Sequence, residues 1–372
     1  MQSLHGLKFI AQYAPEKLIQ LGSKGAGAEG FNEIPRTITS PLTEDSLQSG
    51  IMRAYACMLP FILQQVPLST SLLSSIHTAI YTDNSVVSAD NLGKFRGFGT
   101  WSGSLFGTYK LYRSVVSLAG LSELLEAQTK GLCHCETSYQ KPLHTIEDIE
   151  EQLSNPPGYF CVSGYRAAFS WFDLSILQDK LEQQHKLLSS TNHRALYVFT
   201  QEEQNKLSLE IQNIFEHWQN KFHESLVTIF KTFQRNISKS AMSEHATLHE
   251  IVLFIKELLY IHPFFEGNLR SIGVVFCNVL LLRYGFCPAI IEDPFAWRGY
   301  STREMVEKLQ QGMRCFSELI TSMEQDLAMK KMPQMTIDHL QSLSSSSKFR
   351  EMVAPFETAL LRLEIPAINS IA

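Results

Sequence analysis

The chain has 372 residues, 44% of them hydrophobic, enough to bury one large core or two modest ones. A net charge of −5, scattered without long runs of one sign, excludes a global field that would attract nucleic acid. Seven cysteines, an odd number in a chain this long, fit a reducing compartment better than a disulfide framework. The opening MQSLHGLKFIAQYAPEKL lacks the charged, apolar, small-residue order of a secretory signal. The most apolar stretches, Ile251–Phe265 and Val274–Leu282, are too short or too interrupted by charge to span a bilayer. The expectation is a soluble protein without a membrane span or a cleaved signal.

In chain order, residues 1–46 give no assignable pattern and are read as an N-terminal extension. Helices are predicted over Leu47–Gln65 and Thr70–Tyr81, then a strand over Lys94–Trp101. From Ser102 to Asn192 the texture changes: Cys133-His-Cys135, the turn Asn155-Pro-Pro-Gly158 and several aromatics stand between mixed elements. This reads as an inserted subdomain, with a strand over Tyr159–Trp171 and a helix over Leu174–Leu188. A strand over Arg194–Phe199 follows, and Thr200 with Glu203 resembles a capping box for a helix over Gln201–Ile229.

Ile251, Phe254, Ile255, Leu258 and Ile261 recur at the spacing of one helix face against a core. Ser271–Tyr284 is apolar almost all round, which predicts a helix at the centre of a bundle, stopped by Gly285 and Pro288. Asp293–Arg298 lacks any pattern and is read as a loop. Helices are predicted over Thr302–Met329 and roughly Ile337–Leu363, with serine-rich Ser342–Ser347 as a loop or fraying end. The fold class expected is mainly α with one or two small β elements.

Chemistry concentrates between the two strongest helices. Pro263 and Gly267 make a continuous helix implausible, so the run is a loop feeding the N-terminus of the central helix. A helix N-terminus presents unpaired amide N–H groups and the positive end of the dipole, and so suits phosphate. Gly267 allows a turn in which successive amides converge on an anion. The same run offers His262 as a candidate base, Glu266 as a candidate Mg²⁺ ligand, Asn268 as a hydrogen-bonding clamp and Arg270 as a charge for phosphate oxygens.

The run His262-Pro-Phe-Phe-Glu-Gly-Asn-Leu-Arg270 resembles the signature of the Fic (Fic/Doc) family, His-x-Phe-x-(Asp/Glu)-Gly-Asn-Gly-Arg-x-x-Arg. The match covers His262, Phe264, Glu266, Gly267, Asn268 and Arg270, and Leu280–Pro288 resembles the family's usual continuation. Upstream, Ser71–Arg96 resembles the family's helix with Ile-His followed by Gly-Lys-Phe-Arg, which leads into a β-hairpin flap. In the family that flap aligns the target backbone by strand pairing. Here it stands far from the motif, with residues 102–192 interrupting it and Arg194–Phe199 as its returning strand. The resemblance thus divides the chain into an extension (1–46), a first part of the core with the flap (47–101), an insertion (102–192), the core with the motif loop (193–329) and a C-terminal helical extension (330–372).

The resemblance implies a Fic-type helical bundle and transfer of AMP from ATP to a Ser, Thr or Tyr hydroxyl of a target protein. His262 would be the general base, Glu266 would hold Mg²⁺, and Phe264 would anchor the loop. Gly267, Asn268 and the amides that follow, beginning with Leu269, would form the anion hole, and Arg270 would hold the phosphates. Two positions depart from the pattern: Leu269 stands at the second glycine and Gly273 at the second arginine. Some relatives changed at the former use the substrate in another orientation, so the alternative donor is a phosphocholine-carrying nucleotide or another nucleoside triphosphate (other NMP transfer). Ser122–Glu126, Ser240–Glu244 and Ser347–Glu351 have the spacing of the family's inhibitory motif but the wrong next residue. An enzyme unrestrained in cis, similar to secreted bacterial Fic toxins, is the consistent reading. It implies a cytoplasmic protein, or an effector delivered into a host cell.

Other readings stand beside these. The loop is alternatively a plain turn between core helices, or part of a non-catalytic Fic-like interaction module. Cys133, Cys135, His144 and Cys161 are either zinc ligands or packed thiols, and His245 and His249 either ligands or solvated side chains. Trp297 and Tyr300 either stack on an adenine or pack in the core.

Overall fold

The computed structural model describes residues 2–13, 41–83, 87, 89, 92–95, 108–137, 142–156, 158–164, 220, 222–239, 242–264, 267–291, 294–328 and 347–362. They form a mainly helical molecule with one small three-stranded antiparallel sheet. Its elements, in order, are α1 (Gln2–Tyr13), α2 (Pro41–Ile62), α3 (Thr70–Tyr81), β1 (Thr108–Tyr112), α4 (Leu118–Thr129), β2 (Cys133–Glu136), α5 (Ile146–Ser154) and β3 (Tyr159–Gly164). A helix over 222–237, α6, precedes α7 (Glu244–Ile261). A π-helical segment Leu269–Phe276 runs on into α8 (Cys277–Arg283), and α9 (Ala296–Gly299), α10 (Thr302–Ala328) and α11 (Ser347–Leu361) complete the set.

The core is built around α7 and the segment Leu269–Arg283, the central helix. Ser243 caps α7 by accepting from the Ala246 N–H at 3.2 Å. Leu248, Ile251, Phe254, Ile255 and Leu258 then face inward, as their spacing predicts. The central helix is buried from Ser271 to Leu282, in keeping with an element apolar on every side. Gly285, at φ 86°, closes it in a Schellman turn, with the Phe286 N–H on Leu281 O at 2.9 Å and the Gly285 N–H on Leu282 O at 3.2 Å.

Around this pair, Phe233 stacks on Phe254 at 4.2 Å between ring centroids, and Phe276 meets the edge of Phe254 at 5.9 Å. The buried Asn278 side chain donates to Tyr55 Oη and Ala289 O and accepts from the Ala289 N–H, tying α2 to the turn after α8. Phe356 of α11 stacks on the other side of that tie, 5.3 Å from Tyr55.

Residues 108–164 form a second, smaller core. The strand order is β1-β3-β2, with Leu111, Leu121, Leu124, Ile149, Phe160 and Val162 buried together. Tyr260 of α7 belongs to this cluster, so the smaller core packs directly on the main bundle.

A polar clamp secures the junction. Lys256 of α7, 1% exposed, pairs with Glu123 of α4 and donates to Tyr300 O at 2.7 Å. Glu123 also accepts from the Thr302 N–H at 2.8 Å, capping α10. Glu304 accepts from Ser117 Oγ at 2.6 Å and from the Ser301 N–H at 2.7 Å, joining the starts of α4 and α10. Burial pulls the Lys256 ammonium below its usual range, against the opposing pull of Glu123.

Several boundaries differ from those expected. α2 begins at Pro41, inside the expected extension, with proline at the first turn, where its missing N–H goes unmissed. α1, α4, α5, β1 and β2 were not expected, and Asp293–Arg298, expected as a loop, contains the helical turn α9. α6 runs to residue 237, beyond the expected end at Ile229. The helix over Leu174–Leu188, the strand Arg194–Phe199, the Thr200–Glu203 capping box and Ser342–Ser346 lie outside the described residues, as does Lys94–Trp101 beyond Phe95. Among the described residues no helix is long and apolar enough to cross a membrane.

Glu123→Ala removes the partner of a buried ammonium and a cap of α10, which is expected to cost about 3 kcal/mol. The urea midpoint should fall accordingly, and the double variant Lys256→Met, Glu123→Gln should recover most of the loss.

Candidate functional site

The motif loop is held open by its first residue. α7 ends at His262, which takes the left-handed conformation at φ 52° and ψ 64° while its N–H still donates to Leu258 O at 3.2 Å. A non-glycine residue there is uncommon and stays only where its surroundings hold it. The turn swings the chain off the helix axis and leaves the imidazole 8% exposed at the end of α7.

Two residues on, Phe264 is fully buried and makes an isolated antiparallel bridge with Phe95. Its ring lies between His77 (centroids 4.1 Å apart, planes at 19°) and Phe95 (5.2 Å, 26°). The imidazole of His77, itself buried, accepts from the Gly93 N–H through Nδ1 at 3.0 Å.

Asn268, 2% exposed, closes the loop. Its Oδ1 accepts from the Phe264 N–H at 2.8 Å, and its Nδ2 donates to Phe264 O, also at 2.8 Å. The same Nδ2 lies 3.2 Å from His262 Nε2 and 3.3 Å from Nδ1. The carboxamide expected as a ligand clamp is thus engaged with the loop's own backbone and set beside the imidazole. Gly267 stands at φ 75°, and a Cβ there would lie 2.4 Å from the Tyr81 ring, so both conformation and space require glycine. Arg270 is half-buried in the first turn of the central helix. Glu266, expected to hold Mg²⁺, lies outside the described residues.

The two departures from the signature meet in one packing arrangement. Leu269 is 8% exposed, and a Cβ on Gly273 would stand 3.3 Å from Leu269 Cδ1 and 2.9 Å from Trp297 Cδ1. Trp297 is fully buried against the central helix, where it packs as a core side chain and offers no face to a base. Tyr300 is half-buried, with Lys308 Nζ 4.6 Å from its ring centroid.

The sulfur and imidazole groups weighed as zinc ligands do not converge. Cys133 and Cys135 are buried in the second core, Cys161 is half-buried on β3, and His144 is exposed. The side-chain hydrogen bond with Cys135, and then burial, hold the Cys133 thiol above its usual range, where it is a protonated apolar group. His245 and His249 are exposed on the first turns of α7. Sequence reasoning missed the parts played by His77 and Tyr81. Both lie on α3, but nothing local marks them as facing the loop.

Asn268→Ala leaves the buried N–H and C=O of Phe264 without partners and is expected to lower stability by about 3 kcal/mol, read from chemical unfolding. Asn268→Asp keeps the acceptor for the Phe264 N–H but sets a second oxygen against Phe264 O in a buried place, and should not recover the loss. Gly267→Ala forces both a left-handed alanine and a contact with Tyr81, and its melting temperature should drop by several degrees, on the order of 5 °C or more. A scan against models of known protein families found no match to this chain, and a search of the curated proteins found none either.

Proposed function

We propose that this chain is a Fic-type transferase that moves AMP from ATP to a Ser, Thr or Tyr hydroxyl of a target protein. The observation that carries the reading is the pairing of His262 with Asn268 across one loop, 3.2 Å apart, where α7 hands over to the central helix. An imidazole held next to the first residues of a buried helix, with Arg270 half-buried in that helix's first turn, is consistent with phosphate transfer to a hydroxyl.

In the reaction, a ring nitrogen of His262 takes the proton of the target hydroxyl. The hydroxyl oxygen forms a bond to the α-phosphorus of ATP as the bond to the bridging α–β oxygen breaks, and pyrophosphate leaves with that electron pair. Asn268, whose side chain is bonded to Phe264, contributes to phosphate binding through its backbone amide, with those of Gly267 and Leu269. Arg270 supplies the charge that holds the phosphates. Mg²⁺ fits the chemistry of the loop through the Glu266 carboxylate, on sequence grounds, and when bound it neutralises phosphate charge.

The packing around Gly273 bears on both departures. With Trp297 and Leu269 against this position, an arginine side chain has no room, so phosphate binding relies on Arg270 and the amides. With glycine at 273 the usual partner of an inhibitory glutamate is missing, in keeping with an enzyme unrestrained in cis that works in the cytoplasm or is delivered into a host cell. The second reading, a non-catalytic interaction module, draws on the inserted region docked on α7.

Incubating the chain with a cell lysate and ATP labelled in the α- or the γ-phosphate separates these readings. Label from the α-position only is expected on proteins, reduced about 10²–10⁴-fold by His262→Ala. Undiminished labelling by His262→Ala would remove the proposed base. Label from a phosphocholine nucleotide alone would replace the donor, and no label from any donor would leave the interaction module.

A further inference from the structure

His77 stands behind the motif loop, in α3, and one ring links three separate segments. It is fully buried, its Nδ1 accepts from the Gly93 N–H at 3.0 Å, and its face lies 4.1 Å from that of Phe264. Phe95, two residues after Gly93, stacks on Phe264 and is bridged to it through the backbone. Phe264 in turn is bonded on both backbone groups to Asn268, whose Nδ2 lies beside the His262 ring. A continuous path of contacts runs from the 92–95 segment through His77 and Phe264 to the imidazole at the end of α7.

Packing alone does not call for a histidine at this place. A phenylalanine would fill a fully buried slot against Phe264 and Tyr81 without burying polar nitrogen. What a phenylalanine lacks is the acceptor for Gly93. Accepting that bond requires a neutral ring whose Nδ1 carries no proton, so the bond also fixes the ring's tautomer and plane. An aromatic face and a lone pair in one rigid group join two segments at a set separation.

We infer that His77 is a positioning residue, which holds the 92–95 segment and the motif loop in register and through the loop sets the place of the His262 imidazole. The inference rests on the transferase reading of the same loop. His77 touches neither the nucleotide nor the reacting atoms in this account; it acts through Phe264 and Asn268. Misplacement by about 1 Å in a site of this kind lowers the rate on the order of 10²-fold.

Two substitutions divide the two contacts. His77→Phe keeps the stack and removes the acceptor, while His77→Asn keeps an acceptor near the Nδ1 position and removes the ring. Amide hydrogen exchange, ATP binding and transfer from α-labelled ATP are measured on the full chain. In His77→Phe, exchange should quicken both at Gly93 and across Phe264–Asn268. Transfer should fall roughly 10–100-fold in kcat, and ATP affinity should stay within about twofold of the parent. His77→Asn should keep Gly93 protected and recover part of the transfer, and it serves as the test variant should His77→Phe fail to fold.

Unchanged exchange across Phe264–Asn268 in a folded His77→Phe would overturn the inference, as would transfer at the parental rate or a loss of ATP affinity in step with transfer. A parent chain that labels no protein sinks the transferase reading. The exchange arm still decides whether His77 links the two segments.

Discussion

One carboxamide bonded to both polar groups of a peptide unit four residues earlier holds the centre of this molecule together. Asn268 does for Phe264 what a neighbouring strand would do, supplying an acceptor for its N–H and a donor for its C=O. A buried loop has to satisfy such groups somewhere, because an unpartnered backbone group away from water costs as much as a lost hydrogen bond. Here one side chain does so, and in doing so fixes the distance between the end of α7 and the start of the central helix. The left-handed His262, the positive φ of Gly267 and the burial of Phe264 all follow from closing so short a loop between two packed helices.

The arrangement also changes how a residue of this kind should be understood. From sequence, the amide at 268 reads as a group waiting for a ligand. In the structure its polar atoms are already occupied by the backbone of Phe264. The proposed chemistry then depends on preorganisation: the loop contributes its shape, and His262 its basicity, with little left to rearrange when a nucleotide arrives.

Much of the scaffold was legible where periodicity was strong. Thr70–Tyr81 is realised at both expected ends, α7 follows its apolar spacing, and Gly285 with Pro288 marks the stop of the central helix as read. The π-helical register of Leu269–Phe276 was not legible, for a simple reason. A helix apolar all round has no stripe, so nothing in the pattern separates one hydrogen-bond register from another. The helix α5 escaped because it is short and buries only Ile149 and Leu153, although Thr145 and Asp148 form a capping box that local reading could have found. Trp297 was balanced between ligand and core because the deciding fact, the missing side chain at Gly273 beside it, is tertiary.

The placement of Lys256, Tyr260 and His262 on one helix carries a last consequence. Lys256 and Tyr260 are the points where α7 grips the smaller core, and His262 ends the same rod six residues beyond the first of them. At the rise of an α-helix that interval is about 9 Å, and a helix packed on both sides neither stretches nor twists appreciably. The smaller core and the imidazole therefore keep a constant offset, as two marks on a ruler do. Any macromolecule that rests on residues 108–164 is held at a defined reach from the loop, whatever the length or sequence of the chain connecting that region to the rest.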